Sequence, residues 1–203
     1  MTLREFIAGI PGLRPLARAV RSLPDRLLHP WRRRRARATL AGLGPVRRIV
    51  VLCLGNINRS PYAAAVLRAR FVWAGIEPPE VVSAGFIGPG RPSPSGAIAF
   101  AAARGLDLSG HRSQVVAPET LRDADLVLVM SARQGAEVAR NFGVPIGRIV
   151  VLGDLDSQLP DGREILDPFD KEPRVLEWSF ARIERCVEGV VEELARTRRR
   201  AAG

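Results

Sequence analysis

From residue 47 onward, short apolar runs alternate with stretches of helical composition, and this alternation most narrows the folds open to the chain. Residues 47–52 read as a strand, a continuous apolar run of the kind buried on both faces of a parallel sheet. Residues 60–73 have helical composition and stop at Gly75; residues 80–84 form a second strand closed by Gly85. A Gly/Pro loop over 88–94 precedes an alanine-rich helix over 95–104, which Gly105 ends. A third strand is expected over 125–130, a helix over 133–141 and a fourth strand over 148–152. Residues 153–173 read as a long polar loop. The closing helix, 175–196, carries an apolar face of Val175, Leu176, Phe180, Ile183, Val187, Val190, Val191 and Leu194. Four strands joined by helical crossovers predict an α/β fold: an open four-stranded parallel sheet with helices on both faces. Ligands of such sheets sit outside the carboxyl ends of the strands.

The 203 residues suit one such domain over 47–197, with a basic N-terminal extension over 1–46 and a basic tail over 198–203. The formal charge of +10 is unevenly spread. Ten arginines against Glu5 and Asp25 give the extension +8, and Arg196, Arg198, Arg199 and Arg200 add four more, so the body is close to neutral. Pro11, Pro15, Pro24 and Pro30 interrupt the extension, and only short helices are expected there. Between the breaks lie apolar fragments: Leu3, Phe6, Ile7 and Ile10, then Leu13, Leu16, Ala19 and Val20, then Leu27 and Leu28, with Trp31 ahead of four consecutive arginines. The fragments are too interrupted for a secretory signal, while an arginine-rich presequence fits by composition alone. Two further readings stay open: a solvated tail, and attachment to an anionic membrane surface through Phe6, Trp31 and the arginines. Nucleic acid is disfavoured, since no base-reading module follows.

No apolar run reaches the length of a membrane span. Cys53 and Cys186 form no zinc or disulfide pattern, and His29 and His111 are too few for a histidine-based metal site; a reduced, cytoplasmic setting fits best.

The chemistry-bearing signal is the run Cys53-Leu54-Gly55-Asn56-Ile57-Asn58-Arg59-Ser60-Pro61, directly after the first strand. A glycine-containing turn of this kind can converge its backbone N–H groups on one oxyanion, and the helix that follows points its positive end at the same place. Arg59 adds a planar cationic fork matched to two phosphate oxygens. Such surroundings favour thiolate, the form of cysteine that attacks. A thiol that attacks phosphorus also needs an acid to protonate the leaving oxygen. Asp167, in Leu166-Asp167-Pro168-Phe169-Asp170, lies on the loop after the last strand, with Pro168 stiffening the backbone and Phe169 offering an aromatic wall. Taken alone, Asp-Pro-Phe also reads as a turn ahead of a helix.

These features together resemble the low-molecular-weight protein tyrosine phosphatases, most closely the bacterial forms. The resemblance covers roughly residues 47–194. It rests on the Cys-x5-Arg-Ser loop, Ser83-Ala84-Gly85, Gly110-His111-Arg112-Ser113, the strand from Ala124 to Met130, and Asp167-Pro168-Phe169. It implies a flavodoxin-like sheet and hydrolysis of phosphotyrosine through a phosphocysteine on Cys53, with no metal or other cofactor. Arg59 and the backbone of Leu54, Gly55, Asn56, Ile57, Asn58 and Ser60 would bind the phosphoryl group. Ser60 would also hold the Cys53 sulfur, Asn56 would brace the loop, and His111 would sit beneath the site as a structural residue. Asp167 would be the general acid, and Leu54 and Phe169 would line the slot. The implied partner is a phosphotyrosine-containing protein; several bacterial forms act on tyrosine kinases of polysaccharide export.

Three positions depart from the pattern. Asn58 stands where many relatives carry a second loop cysteine, Asp170 where another aromatic often follows, and Ser131 where an acidic residue is common. Two other functions share the scaffold. A thiol-dependent arsenate reductase would need relay cysteines, whereas Cys186 reads as helix core; a phosphopeptide-binding adaptor would need neither thiol nor acid.

Overall fold

The computed structural model describes residues 13–159 and 161–202, with side chains from residue 22 to residue 200 except at 160. In chain order the elements are α1 (Leu13–Gly42), β1 (Arg48–Cys53), α2 (Arg59–Trp73), β2 (Glu80–Gly85), α3 (Ser95–Ala102), α4 (Pro118–Arg122), β3 (Leu126–Val129), α5 (Ala132–Phe142), β4 (Ile149–Val151) and α6 (Pro173–Ala202). Short 3-10 turns flank β4 at Ile146–Arg148 and Leu152–Leu155.

The four strands form one parallel sheet in the order β2-β1-β3-β4. Side chains alternate across it, as the two-residue period of a strand requires. Ile49, Val51 and Cys53 of β1 face a core shared with Tyr62, Leu67 and Phe71 of α2 and with Phe180, Ile183 and Val187 of α6. Val50, Val127 and Val129 face a second core closed by Leu121 of α4 and Val138 of α5. Helices therefore cover both faces, as the alternation predicts. Tyr62 lies flat against Phe180, ring centroids 3.9 Å apart, and its hydroxyl donates to Glu184, which fixes the start of α2 to α6. Helix boundaries follow local chemistry. The Ser131 hydroxyl accepts from the Gln134 N–H at 3.2 Å to start α5, and Gly143 ends it at φ 67°.

The extension departs from expectation. Its described part is one 30-residue helix, α1, that runs through Pro24 and Pro30, and the anticipated break into short helices does not occur. Proline removes one N–H and disfavours the turn before it, a local cost that tertiary packing outweighs here. Ser22, His29 and Ala36 recur at seven-residue spacing, a seam suited to packing along another helix, and all are buried; Leu40 and Val46 continue into the main core. The His29 Nε2 lies 2.9 Å from the Asp156 carbonyl, and Arg37 pairs with Glu192 and Glu193 of α6. A solvated tail therefore does not describe residues 22–46. The fragments through Val20 and the proposed contact Phe6 have side chains outside the described residues.

The segment expected as a long polar loop is also more structured. Asp154 and Asp156 are buried in it; Asp154 takes a two-point contact from Arg163, and Asp156 is held by Arg182 and Arg185 of α6. Burial works against the Asp156 charge, but the Arg185 contact, the Gln158 N–H and Arg182 outweigh it and hold the carboxyl below its ordinary range. The short helix α4 has no counterpart in the sequence reading.

Candidate active site

The loop between β1 and α2 lies at the carboxyl end of the central strand, where an open parallel sheet presents its ligands. Its shape is set by Asn56, a non-glycine residue at φ 49° that is fully buried. Every polar atom of that residue is used. Its Nδ2 donates to Ser60 Oγ at 2.9 Å and to Ser83 Oγ at 3.0 Å, and its Oδ1 accepts from the Gln114 N–H at 2.9 Å. Its carbonyl lies 2.6 Å from His111 Nε2, which makes Nε2 the protonated ring nitrogen, and its own N–H points to Cys53 Sγ at 3.3 Å. The left-handed conformation is thus fixed by five partner residues. Gly85 at the end of β2 permits the close approach this needs: a Cβ there would stand 2.8 Å from the Asn56 nitrogen and 2.8 Å from the Leu54 carbonyl oxygen.

Cys53 forms the floor of a cavity of about 210 Å³ lined also by Leu54, Gly55, Ile57, Asn58, Arg59, Ile87, Arg91, Asp167 and Phe169. The Ser60 hydroxyl lies 3.1 Å from the Cys53 sulfur. Since Asn56 donates to the same oxygen, the Ser60 proton is left for the sulfur or for the Ala84 carbonyl at 3.3 Å. Helix α2 begins at Arg59, so its positive end opens on the cavity.

Arg59 is buried and reaches across the sheet edge. Its Nη1 donates to the Ile165 carbonyl at 3.1 Å, and its Nη2 forms an ion pair with Asp167 Oδ2. Its Nε is buried without a hydrogen-bond partner among the described residues, a state that calls for an acceptor in a native site. The segment bearing Asp167 is pinned on both sides: the Ile165 N–H donates to the Met130 carbonyl at 3.1 Å, and Ser179 Oγ donates to the Leu166 carbonyl at 3.0 Å. The other Asp167 oxygen accepts the Phe169 N–H at 3.1 Å. Asp170 takes a left-handed φ of 53° and turns the chain away behind Phe169. Leu54, Ile87 and Phe169 stand exposed around the mouth.

The structure therefore brings Cys53, Leu54, Gly55, Ile57, Asn58, Arg59, Asp167 and Phe169 to one cavity, whereas Asn56 and Ser60 lie buried beneath it. Two contributors, Arg91 and Ile87, are missing from the sequence reading, and a third, Ser83, was quoted there only as part of a strand end. Arg91 caps the loop, its Nη2 on the Gly55 carbonyl at 3.0 Å and its Nε on the Gly88 carbonyl at 3.0 Å. Ile87 joins the mouth, and Ser83 supports Asn56. The signal for Arg91 was its place in the Gly/Pro loop after β2, masked by the abundance of arginine. Cys186 is buried in α6, where desolvation pushes its thiol well above the ordinary range.

The chemistry open to this arrangement is capture of a tetrahedral anion and attack on it by sulfur, with a carboxyl placed to exchange a proton. Comparisons with known proteins place the chain in a family. A family model described as low molecular weight phosphotyrosine protein phosphatase matches residues 48–200. The probable low molecular weight protein-tyrosine-phosphatase EpsP of Ralstonia solanacearum is 34% identical over 151 residues, covering 73% of this chain and 97% of that protein. The crystal structure of the Erwinia amylovora tyrosine phosphatase AmsI superposes with a TM-score of 0.65 at 28% identity, over 73% of this chain and 93% of that one. The YwlE arginine phosphatase of Geobacillus stearothermophilus gives a TM-score of 0.67 at 27% identity, over 77% of this chain and 97% of that one.

Proposed function

The chain belongs to the low molecular weight phosphotyrosine protein phosphatase family, and from that premise we propose that it hydrolyses phosphotyrosine in proteins with Cys53 as nucleophile. In the first step the Cys53 sulfur bonds to phosphorus as the bond from phosphorus to the tyrosine oxygen breaks. The electron pair leaves on the phenolic oxygen, and Asp167 supplies its proton. In the second step a water oxygen bonds to phosphorus, the sulfur leaves, and Asp167 takes the proton of that water. Arg59, the loop amides from Leu54 to Ser60 and the start of α2 hold the phosphoryl oxygens through both steps. An arriving phosphoryl group competes for the Arg59 fork and so releases the Asp167 carboxylate from its ion pair; the freed carboxylate takes a proton from solvent and then faces the leaving oxygen as the acid.

The observation that carries this reading is the buried Arg59 Nε without an acceptor in the wall of the cavity that has Cys53 at its floor. The choice of tyrosine rests on the mouth. Leu54, Ile57, Ile87 and Phe169 make an apolar slot suited to a phenyl ring. A phosphoarginine substrate would bring a guanidinium that needs several acceptors, and among the described residues Asp167 is the single carboxylate lining the cavity. Arsenate reduction through a relay cysteine is disfavoured by the burial of Cys186. A tyrosine-phosphorylated protein is the substrate class; by family resemblance, a tyrosine kinase of polysaccharide export is the finer proposal.

Phosphate release from phosphotyrosine, phosphoserine and phosphoarginine peptides, with arsenate reduction measured in parallel, tests the reading. Release from phosphotyrosine alone is expected, and Cys53→Ser abolishes it while leaving the circular dichroism unchanged. Turnover by the folded Cys53→Ser protein, or preference for phosphoarginine, overturns it.

A further inference from the structure

One face of α1 has no place in the chemistry above. Its inner seam is committed to the domain, through the His29 contact with the Asp156 carbonyl, the Arg37 pairs with α6 and the buried Leu40. Away from that seam Leu23 (49% exposed), Leu27 (76%) and Leu28 (46%) stand in water, and Trp31 (58%) is exposed at the rim of a cleft it shares with Ala132, Ala136 and Ile146. Leu23, Leu27 and Trp31 are four residues apart, so they form one continuous stripe along the helix. Exposed apolar residues are ordinary when scattered, but a stripe of four large ones on a single helix is not.

The charge around the stripe is equally one-sided. Between residues 13 and 42 the chain has nine arginines, no lysine and one acidic residue, Asp25. That carboxylate is engaged by Arg32 at 2.6 Å, which holds it below its ordinary range. Arg26, Arg34 and Arg35 are exposed beside the stripe, and the Arg35 guanidinium lies 5.5 Å from the centre of the Trp31 ring. An apolar stripe bordered by arginines, with tryptophan at the boundary, is the chemistry of a helix lying in the headgroup region of an anionic bilayer. A nucleic acid would use the arginines but has no use for exposed leucines.

We propose that the outer face of α1 docks this protein on an anionic phospholipid surface, with Leu23, Leu27, Leu28 and Trp31 inserted among the acyl chains and Arg26, Arg34 and Arg35 on the lipid phosphates. The N-terminal half of the docked helix lies at the carboxyl end of the sheet. Helix α1 leads directly into β1, so its C-terminal end is at the amino edge of the sheet and its other half extends toward the carboxyl edge. There Asp25 approaches Gly162, and His29 contacts Asp156, both on the segment that runs on to Asp167. The docking itself does not depend on catalysis.

The test uses the full chain with vesicles of phosphatidylcholine alone or mixed with phosphatidylglycerol, read by co-sedimentation. Binding is expected only to the mixed vesicles, to weaken at high salt, and to fall by about tenfold or more in the double variant Leu27→Glu, Trp31→Glu. Both residues are exposed, so turnover of a soluble aryl phosphate by that variant stays at the wild-type level and reports its fold independently. In a Trp73→Phe, Trp178→Phe background, the Trp31 emission shifts to the blue on the mixed vesicles. Equal binding to neutral and anionic vesicles, undiminished binding by the double variant, or a Trp31 spectrum that does not move overturns the proposal. Binding to duplex DNA in place of vesicles does so as well.

Discussion

At the scale of single residues, the site depends on positions whose roles differ sharply although they lie side by side. If Asp167 protonates the leaving oxygen, Asp167→Asn slows phenyl phosphate, a poor leaving group, about 100-fold or more. Activated nitrophenyl esters, whose oxygens leave unaided, lose far less; equal losses on both would count against a general acid. Asn58 is the second informative position. It is buried next to the nucleophile, with its Oδ1 lacking a partner among the described residues. With no thiol there, peroxide takes Cys53 past the sulfenic acid toward irreversible forms. In Asn58→Cys, the Cys53 sulfenic acid condenses with the new thiol, releasing water and forming a disulfide. Peroxide-inactivated Asn58→Cys should therefore recover with dithiothreitol, whereas the native protein stays inactive.

At the scale of elements, the junction of the Leu152–Leu155 turn with α6 is held by buried ion pairs. Asp156 is buried between Arg182 and Arg185, and its carboxyl is held below the ordinary range. A depressed carboxylate contributes stability that is fully present above its unfolded pKa and lost as the pH falls through the folded value. Asp156→Asn leaves two arginines without their partner and should cost about 3 kcal/mol at neutral pH. The gap between wild type and variant in urea unfolding then narrows as the pH is lowered into the acid range. A gap that widens on acidification would contradict the assignment. Neither Asp154 nor Asp156 announces itself in sequence, because a buried acid and an exposed loop acid look alike until their partners, Arg163 for the one and Arg182 and Arg185 of α6 for the other, are in place.

At the scale of the molecule, α1 changes what the extension is. Ala36, Leu40 and Val46 belong to the main core, so removal of residues 1–46 opens that core. Leu40→Ala, at a fully buried position, should cost about 2–5 kcal/mol and lower the thermal midpoint. The deletion of 1–46 should lower it further, read by calorimetry. Removal of residues 1–21 alone leaves these contacts in place, and a loss as large as that of the longer deletion would show the core contacts of α1 to be unimportant. The same helix carries the exposed stripe, so one element is both a structural wall and a docking face.

Whereas the order β2-β1-β3-β4 came from the assembled sheet, the sequence by itself determined the strands, their succession along the chain with helical crossovers, and the candidate pair Cys53 and Arg59. Those rest on local patterns: apolar runs, glycine stops, and a loop whose spacing is short enough to read directly. Asp167 could be found as a candidate, but its approach to Arg59 across the sheet edge is a fact of tertiary structure. So are the Arg91 cap over Gly55 and the bracing of Asn56 by Ser83, Gln114 and His111, which come from segments 27 to 58 residues away. For α1, local rules pointed the wrong way. Two prolines argue for breaks, yet a seam at seven-residue spacing buried against the domain outweighs their cost, and only the assembled fold contains the surface that buries it.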